Sequence, residues 1–318
     1  MRALVTGGAG FVGGVVVQAL LDRGDEVSVL DNLRSTTSDD VPKGATLVEC
    51  SVGDEAGVAE VLRATRFDAC FHFAGRIESG LSMEEPEDFF VANVAETLTL
   101  LRVLVAEGVE RFVFSSSAAV YGDPQYTPID EAHPTNAVSP YGESKLLVER
   151  TLAWLTRLQR LRFASLRYFN AAGAIEGRPE RHRPESHLIP LALEAAAGER
   201  DALDLYGDDY ETPDGTCIRD YVHVADLATA HVLAVDALDE HPSLVCNLGT
   251  GVGSSNAEVI EAVRRETGRK VPVRRAPRRG GDAVVLVAGN DLAHSALGWV
   301  PVRSSLAEIV RDAWAART

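Results

Sequence analysis

A glycine-rich segment near the start of the chain constrains the fold more than any other feature. Residues 6–13 read Thr-Gly-Gly-Ala-Gly-Phe-Val-Gly, between an apolar run at 3–6 and a helical pattern at 10–23. In this context Gly7 permits a tight turn, Gly10 lets the backbone approach a pyrophosphate, and Gly13 lets the helix pack on the strand. The helix N-terminus offers free N–H groups and positive potential to phosphates. The segment therefore predicts a Rossmann-type dinucleotide site.

An acidic residue stands where this fingerprint requires one. Asp31 ends the second predicted strand, about 20 residues after the glycines. A carboxylate there accepts hydrogen bonds from the adenosine ribose and repels a 2′-phosphate, so NAD is favoured over NADP, although Arg34 nearby works against this preference. Asp31 before Asn32 also suits an ordinary turn, and the residue types alone leave both interpretations open.

Short apolar runs alternate with helical patterns through the first half, and the alternation stops after Asn170. Such alternation predicts a parallel sheet covered on both faces. We expect an α/β chain: a doubly wound Rossmann-type domain over 1–172 and a smaller C-terminal α/β substrate-binding domain over 173–318, with some chain crossing back. Strands are predicted at 3–6, 26–30, 46–49, 69–73, 111–115 and 164–168, and helices at 10–23, 55–65, 86–107 and 141–158.

Composition argues against several classes of partner. The formal net charge of −16 disfavours nucleic acid and anionic membranes. We find no secretory signal and no apolar run as long as a membrane span. The four cysteines include no CxxC pair, so no metal site is expected and a reducing cytoplasm fits. The basic segment 264–279 departs from the acidic balance and is either solvated surface or a local anion site.

A tyrosine and a lysine stand four positions apart in Tyr141-Gly-Glu-Ser-Lys145. On a helix this spacing puts both side chains on one face. A tyrosine with a pKa of ~10 needs nearby positive charge to act as a base at neutral pH. Lys145 and a nicotinamide ring would supply that charge, and the Ser117 hydroxyl, just past a predicted strand, could share the substrate oxygen. Tyr-x-x-x-Lys pairs also arise by chance, but the glycine motif favours the catalytic interpretation.

Together these motifs resemble the extended short-chain dehydrogenases that act on nucleotide sugars, and among them the UDP-glucose 4-epimerases. The resemblance rests on residues 7–13, Ser115-Ser116-Ser117, the Tyr141/Lys145 pair and Arg167-Tyr168-Phe169-Asn170. It runs essentially end to end, and its most specific stretches are 112–122, 214–224 and 247–251.

The resemblance implies bound NAD, a UDP-sugar substrate and a set of residues for each. Catalysis is assigned to Ser117, Tyr141 and Lys145. Residues around NAD would be Gly7, Gly10, Phe11, Val12, Gly13, Asp31, Asn32, Ser51, Val52, Phe73, Ala74, Gly75, Asn93, Ser115, Tyr141, Lys145 and Tyr168. Residues around the substrate would be Ser117 and Tyr141 at the sugar, Asn170, Arg219 and Arg279 at the pyrophosphate, His187, Leu188, Leu205, Tyr206 and Asp282 around the uridine, and Leu286 beside the sugar C2 substituent.

Three positions depart from the family pattern. Cys50-Ser51 replaces a Gly-Asp pair that holds the adenine amine, so adenine binding would depend more on Val52. Ile77 replaces a frequent lysine, and His187 replaces an asparagine but can still donate a hydrogen bond. None of these departures touches Ser117, Tyr141 or Lys145.

The resemblance implies reversible 4-epimerisation of UDP-glucose and UDP-galactose through a 4-keto intermediate. A 4,6-dehydratase is disfavoured because Ala118-Ala119 follow Ser117, where dehydratases carry an acid–base pair. A 4-epimerase of another UDP-sugar (UDP-N-acetylhexosamine, UDP-glucuronate or a UDP-pentose) and a non-catalytic NAD-binding regulator remain alternatives. A homodimer is expected through a four-helix bundle of helices 86–107 and 141–158. Its outward apolar side chains would be Leu98, Leu101, Val105, Leu147 and Leu155, although periodicity alone allows all of them to face the sheet.

Overall fold

The six predicted strands and a strand from the later chain, Ser243–Leu248, assemble into one seven-stranded sheet. The computed structural model describes residues 1–182, 184–279 and 283–317. In chain order the strands are β1 Arg2–Thr6, β2 Glu26–Asp31, β3 Thr46–Glu49, β4 Ala69–His72, β5 Arg111–Ser117, β6 Arg162–Tyr168, β7 Asn170–Ala172, β8 Leu203–Tyr206, β9 Ile218–His223, β10 Ser243–Leu248, β11 Gly253–Ser255, β12 Val273–Ala276 and β13 Val285–Leu286. The large sheet has the order β10-β6-β5-β4-β1-β2-β3, and its neighbouring strands are parallel. The predicted Rossmann-type fold class is confirmed.

Helices cover both faces of this sheet because its strands are apolar on both sides. They are α1 Phe11–Asp22, α2 Glu55–Ala64, α3 Ser79–Ser82, α4 Pro86–Phe90, α5 Glu96–Ala106, α6 Pro140–Arg157, α7 Leu188–Ala197, α8 Val224–Ala237, α9 Asn256–Thr267, α10 Asp291–Leu297 and α11 Leu306–Ala315. Val5 of β1 points into a core shared with α1, α8 and α10. Its neighbour Leu4 points into a second core shared with α2, α5 and α6. Successive side chains of a strand face opposite sides, which explains this division.

A π-helical turn interrupts the long helix that the sequence predicts over 86–107. The turn, Val91–Ala95, joins α4 to α5. Within the described residues, the continuous helix Pro86–Ala106 is the one segment long and apolar enough to cross a membrane by length and composition. The expectation that no apolar run reaches that length is therefore wrong. This helix packs on the sheet, with Phe89 and Leu100 fully buried.

The outward face of α5 differs from the sequence prediction at one position. Leu98 is exposed, as expected, but Leu101 is only 2% exposed and packs in the core against the sheet. Val105, Leu147 and Leu155 are half-buried. The assignment of Leu101 to an outward face is wrong, because the π turn and the sheet place it on the inner side of the helix.

The chain after β7 builds a smaller unit and also returns to the large sheet. A core among α7, α9, α11 and β8 includes Ile189, Leu203, Val259 and Ile309. β9 pairs with β7, β11 and β13, and β8 pairs with β12. By contrast, α8, β10 and α10 complete the first sheet and its covering helices. The division at residue 172 stays a prediction, and the structure shows which later elements cross back.

Candidate active site

The glycine segment forms a closely packed loop between β1 and α1. Gly7 has a φ of 68°, and a Cβ built there would lie 2.6 Å from the backbone nitrogen of Ala74. A Cβ on Gly13 would lie 2.3 Å from the carbonyl oxygen of Gly7, and one on Gly10 would lie 3.2 Å from the same oxygen. Side chains at Gly7 and Gly13 are therefore excluded by backbone alone. Phe11 and Val12 begin α1 and pack against the core below the loop.

Asp31 fits both interpretations that the sequence left open. Its carboxylate accepts a hydrogen bond from the N–H of Ala9 in the glycine loop at 3.1 Å and from the N–H of Leu33 at 3.0 Å. The second contact is the expected turn, in which Leu33 has a φ of 52°. Asn32 is exposed, and its side-chain oxygen accepts from the N–H of Arg34 at 3.1 Å. Asp31 thus braces the glycine loop and stands at the end of β2 where a ribose would lie.

The Glu96 carboxylate lies near Cys50-Ser51, where the chain departs from the family pattern. The Ser51 hydroxyl donates to the Glu96 carboxylate at 3.3 Å, and it accepts from the N–H of Gly53 at 3.2 Å. Val52 is buried. Glu96 comes from α5, and sequence analysis did not single it out because glutamates on helix surfaces carry no distinguishing pattern. It supplies an acceptor beside the position where family members have aspartate.

Ser117, Tyr141 and Lys145 come together at the carboxyl end of β5. Ser117 lies close enough to the Tyr141 phenol to lower its pKa. The Lys145 ammonium lies 5.7 Å from the Tyr141 ring centroid and donates to the Ser115 carbonyl oxygen at 3.0 Å. Ser139 caps α6 by accepting from the N–H of Gly142, and this cap fixes the start of the helix that carries both residues.

Burial shifts the pKa values of Tyr141 and Lys145 in opposite directions. Burial raises the pKa of Tyr141, the nearby Ser117 hydroxyl lowers it, and Glu78 raises it further. Burial lowers the pKa of Lys145 to about 8, and Glu149 opposes that shift. The phenol is therefore neutral until more positive charge arrives beside it.

Tyr168 stands behind the same site in a buried aromatic cluster. Its hydroxyl lies 2.6 Å from Nε2 of His231, whose Nδ1 lies 2.8 Å from the Leu227 carbonyl oxygen. Nδ1 therefore carries the proton, and Tyr168 donates to Nε2. Burial lowers the pKa of His231 to about 4, and the Leu227 hydrogen bond opposes the shift. Phe73 packs against His231 with ring centroids 4.9 Å apart. Sequence analysis missed His231, because a lone histidine on an apolar helix has no motif.

Asn93 lies in the π turn and uses its amide to hold the backbone. Its oxygen accepts from the N–H of Arg76 at 2.7 Å, and its nitrogen donates to the Arg76 carbonyl and the Ser144 hydroxyl, each at 3.0 Å. A Cβ on Gly75 would lie 2.8 Å from the Asn93 oxygen. Asn93 therefore positions the Phe73-Ala74-Gly75 turn against α6.

Arg178 is a further group near the cofactor loop that the sequence did not reveal. Its Nη2 donates to the Asp40 carbonyl oxygen at 2.7 Å, and a Cβ on Gly14 would lie 1.8 Å from that nitrogen. The segment after β7 thus brings a guanidinium against α1. An arginine in a polar, aperiodic run offers no signal for such a contact.

On the substrate side, β9 carries Arg219 next to a buried carboxylate. Asp220 accepts from the N–H groups of Thr250, Gly251 and Ala288 at 2.9 to 3.2 Å. Burial raises the pKa of Asp220, while these hydrogen bonds lower it. Asp220 therefore fixes the loop after β10 and the chain after β13 beside Arg219.

Leu286 lies across from Arg219 in the sheet. The two are register partners of β13 and β9. Leu286 is partly buried against a cluster that includes Ala118, next to Ser117, and Phe169, next to Asn170. The cluster supports both sequence interpretations, since Leu286 packs in a core and that core adjoins the reacting groups. Asn170 itself is half-buried and pairs with Tyr221.

The remaining substrate residues lie in the smaller unit. The Arg279 guanidinium stacks 4.9 Å from the centroid of the Tyr206 ring, and Tyr206 is exposed. Leu205 is buried, and Leu188 begins α7 beside its N-cap residue His187. Asp282 lies outside the described residues. Burial lowers the pKa of His187, but its hydrogen bonds to Glu180 and Glu185 outweigh that effect and raise it.

The basic segment is mostly surface. Arg274, Arg275 and Arg278 pair with Asp204, Asp208 and Asp209 on and after β8. Within the described residues, Arg279 is the member of the segment that stacks on a predicted substrate residue.

Comparison with known proteins agrees with this arrangement. The NAD dependent epimerase/dehydratase family matches residues 3–249. A UDP-glucose 4-epimerase of Streptomyces lividans is 49% identical over 314 residues, covering 98% of this chain and 95% of that protein. The structure of UDP-glucose 4-epimerase from Brucella ovis in complex with NAD has a TM-score of 0.96 and 44% identity, and covers 99% of this chain and 97% of that chain. That of UDP-glucose-4-epimerase from Stenotrophomonas maltophila, with bound NAD and formylated UDP-arabinopyranose, has a TM-score of 0.96 and 38% identity, and covers 100% and 98%. The chain belongs to the NAD dependent epimerase/dehydratase family, where its relatives are UDP-glucose 4-epimerases.

Proposed function

We propose that this protein interconverts UDP-glucose and UDP-galactose by 4-epimerisation with tightly bound NAD. One observation carries the proposal: Tyr141 lies close to Ser117, which lowers the pKa of its phenol, and beside the buried ammonium of Lys145. That arrangement can hold and move one proton at a sugar hydroxyl.

The residues of the glycine loop fit the cofactor. Gly7 and Gly13 leave a surface that any Cβ would fill, and the N-terminus of α1 stands behind it. When bound, NAD supplies the hydride acceptor and donor for C4 of the sugar and a positive ring charge that favours the Tyr141 phenolate. Asp31 at the end of β2 favours NAD over NADP because its charge repels a 2′-phosphate.

The chain's own groups handle the proton. Tyr141 takes the proton from the sugar O4 and later returns it, and Ser117 shares that oxygen through its hydroxyl. Lys145 lowers the cost of the phenolate through its charge. A 4-keto sugar must then present its opposite face, so the substrate is held by its UDP part while the sugar stays loosely bound. We assign that anchoring to Asn170, Arg219 and Arg279.

Other functions for the same site have less support. A 4,6-dehydratase needs proton transfer at C5 and C6, and Ala118-Ala119 offer no such group. UDP-N-acetylhexosamines, UDP-glucuronate and UDP-pentoses use the same UDP anchor and remain the alternative substrates. A non-catalytic NAD-binding regulator would have no need for Tyr141 beside the buried ammonium of Lys145.

The test is conversion of UDP-galactose to UDP-glucose by the purified protein without added NAD, measured beside a panel of the other UDP-sugars. We expect turnover and release of NAD, rather than NADP, on denaturation. An absolute requirement for added NAD, or released NADP, would contradict the tight-binding proposal. No turnover of any UDP-sugar by NAD-loaded protein would leave the regulator as the function.

The assembly belongs to the same proposal. We assign a homodimer paired through the long helices, supported by large apolar side chains that are 41–63% exposed on and beside them: Val91, Leu98, Trp154 and Leu158. These side chains take the role in the helix-to-helix contact that the sequence assigned to Leu101. All four cysteines are free thiols, which suits a cytoplasmic location. Light scattering at micromolar concentration tests the assembly, and a monomer would refute it.

A further inference from the structure

Two histidines and a buried glutamate converge in the segment between β7 and α7. One ligand atom from each of Glu180, His182 and His187 lies within 4.8 Å of the others. Glu180 Oε1 is 3.0 Å from His187 Nδ1 and 3.6 Å from His182 Nδ1. The Glu180 side chain is only 9% exposed, so its carboxylate is held inside the cluster and cannot turn freely into water.

These separations match those between ligands of one small metal ion. Zinc binds imidazole nitrogen and carboxylate oxygen at about 2.0–2.2 Å in tetrahedral geometry, which puts neighbouring ligand atoms about 3.3–3.5 Å apart. The two distances from Glu180 lie on either side of that value. A mixed set of imidazole and carboxylate ligands is one that zinc and its neighbours in the first transition series accept.

Hydrogen bonds among the side chains do not satisfy the cluster. His187 Nδ1 faces Glu180 at 3.0 Å and Glu185 at 2.8 Å, and a single N–H cannot serve both carboxylates well. His182 Nδ1 is buried and has no hydrogen-bond partner among the residues that the structure describes. A cation between the ligand atoms would satisfy the His182 nitrogen and offset the negative charge of the two glutamates.

We propose that Glu180, His182 and His187 bind one divalent cation of the zinc class, with solvent in the fourth position. The His182 side chain is 27% exposed, which gives solvent access. Glu185 is assigned a positioning part, because its Oε1 already accepts from the N–H groups of Ser186 and His187 at 2.7 and 2.8 Å. Cysteine spacing could not reveal this site, since it contains no cysteine.

The cation would tie the segment after β7 to the start of α7, because His187 is the N-cap residue of that helix. It would also leave the proton of His187 on Nε2, so that this nitrogen is a hydrogen-bond donor at a residue proposed to lie beside the uridine. This consequence rests on the proposed function, whereas the metal site itself does not.

The test uses the full-length protein purified without a histidine tag and stripped with a chelator. We expect titration with zinc against a chromophoric competitor to reveal one tight site per chain, and cobalt to give the intense visible absorption of a tetrahedral site. His182→Ala and Glu180→Gln should weaken zinc binding by about 100-fold or more, since even outer-shell changes cost 10–100-fold. The matched control His241→Ala removes an exposed histidine and should bind like the parent.

The change in Tm on adding zinc separates a loss of zinc binding from a loss of stability caused by the substitution itself. Zinc should raise the Tm of the parent and of His241→Ala, but not of His182→Ala or Glu180→Gln. Absence of a tight site in the parent, or equal affinity in all four proteins, would overturn the proposal. Epimerase turnover is measured separately: a zinc-binding protein without turnover contradicts the proposed function alone, and turnover without zinc binding contradicts the metal site alone.

Discussion

The large sheet and the smaller unit hold their charges in different ways. In the sheet, Arg167 and Glu149 form a bidentate pair whose side chains are 7% and 5% exposed, and Ser116 and Tyr121 complete their hydrogen bonds. In the smaller unit, Arg274 pairs with Asp204 at the surface, where the arginine is 70% exposed. The groups proposed for chemistry lie beside the buried network, whereas Arg279, one of the three groups proposed for holding UDP, follows the exposed pairs of Arg274, Arg275 and Arg278 along the chain. From this contrast we infer that side chains which must stay fixed for the reaction are held by buried hydrogen bonds. A substrate that must bind and leave is met by side chains nearer to solvent.

The largest expected effect is on turnover, and it tests whether the reacting groups act separately from the groups that bind UDP. Tyr141→Phe should lower kcat by about 100- to 10,000-fold, because it removes the proton acceptor, while the Kd for UDP stays near the parent value. Turnover assays and calorimetry measure the two quantities. Tyr126→Phe, which alters an exposed tyrosine bonded to Asp130, is the control. Near-normal turnover in Tyr141→Phe would remove that residue from the mechanism.

The next effect is on stability. Glu149→Ala leaves the Arg167 guanidinium buried without its carboxylate, and should lower the free energy of unfolding by about 3–5 kcal/mol. Asp204→Ala removes the partner of the exposed Arg274 and should change stability too little to measure. Denaturant unfolding of both variants gives the comparison directly. Equal losses would mean that the two units do not differ in the way described.

Arg219→Ala tests the anchor itself. We expect UDP and UDP-sugars to lose similar binding free energy, about 1.5–3 kcal/mol for a charge-assisted hydrogen bond. Arg275→Ala, which removes a 79% exposed arginine paired with Asp208, should leave both affinities unchanged. Unaltered UDP affinity in Arg219→Ala, measured by calorimetry, would exclude Arg219 from pyrophosphate binding.

The smallest effect concerns the choice of sugar. With leucine at 286 we expect UDP-glucose and UDP-galactose to be the main pair and the N-acetylated pair to react weakly. Leu286→Tyr should abolish the weak activity and Leu286→Ala should enhance it, each within the about 1–3 kcal/mol that one pocket wall provides. The measure is the ratio of kcat/KM values for the two pairs, with Val285→Ala as the neighbouring control. If both Leu286 variants keep the parent ratio, this residue does not select the sugar.

Sequence reasoning succeeded where one pattern had one physical solution. Strands buried on both faces have nearly unbroken apolar sequences, so the sequence locates β1 and β4 to within one residue. Gly7 and Gly13 were identified because backbone packing admits no side chain there. The prediction that Leu101 faces outward is wrong, because the same periodicity fits a side chain that faces the sheet and one that faces solvent.

Contacts between distant segments had no signal in the sequence. Glu96 beside Ser51, His231 behind Tyr168 and Arg178 against α1 each depend on how separate elements pack. The convergence of Glu180 and His187 likewise depends on the path of an irregular segment. The residue types at these positions are common on surfaces, so only the folded arrangement distinguishes them.

The π turn at Val91–Ala95 has a consequence for how this helix can change. A π turn holds one residue more than an α-helical turn, and each residue of an α-helix advances about 100° around the axis. The part bearing Asn93 and the part bearing Leu98 are therefore out of phase with each other. Deleting one residue here would restore regular α-helical hydrogen bonds, yet it would rotate one part against the other. A shorter and more regular helix could then satisfy either the turn after β4 or the exposed apolar face, but not both.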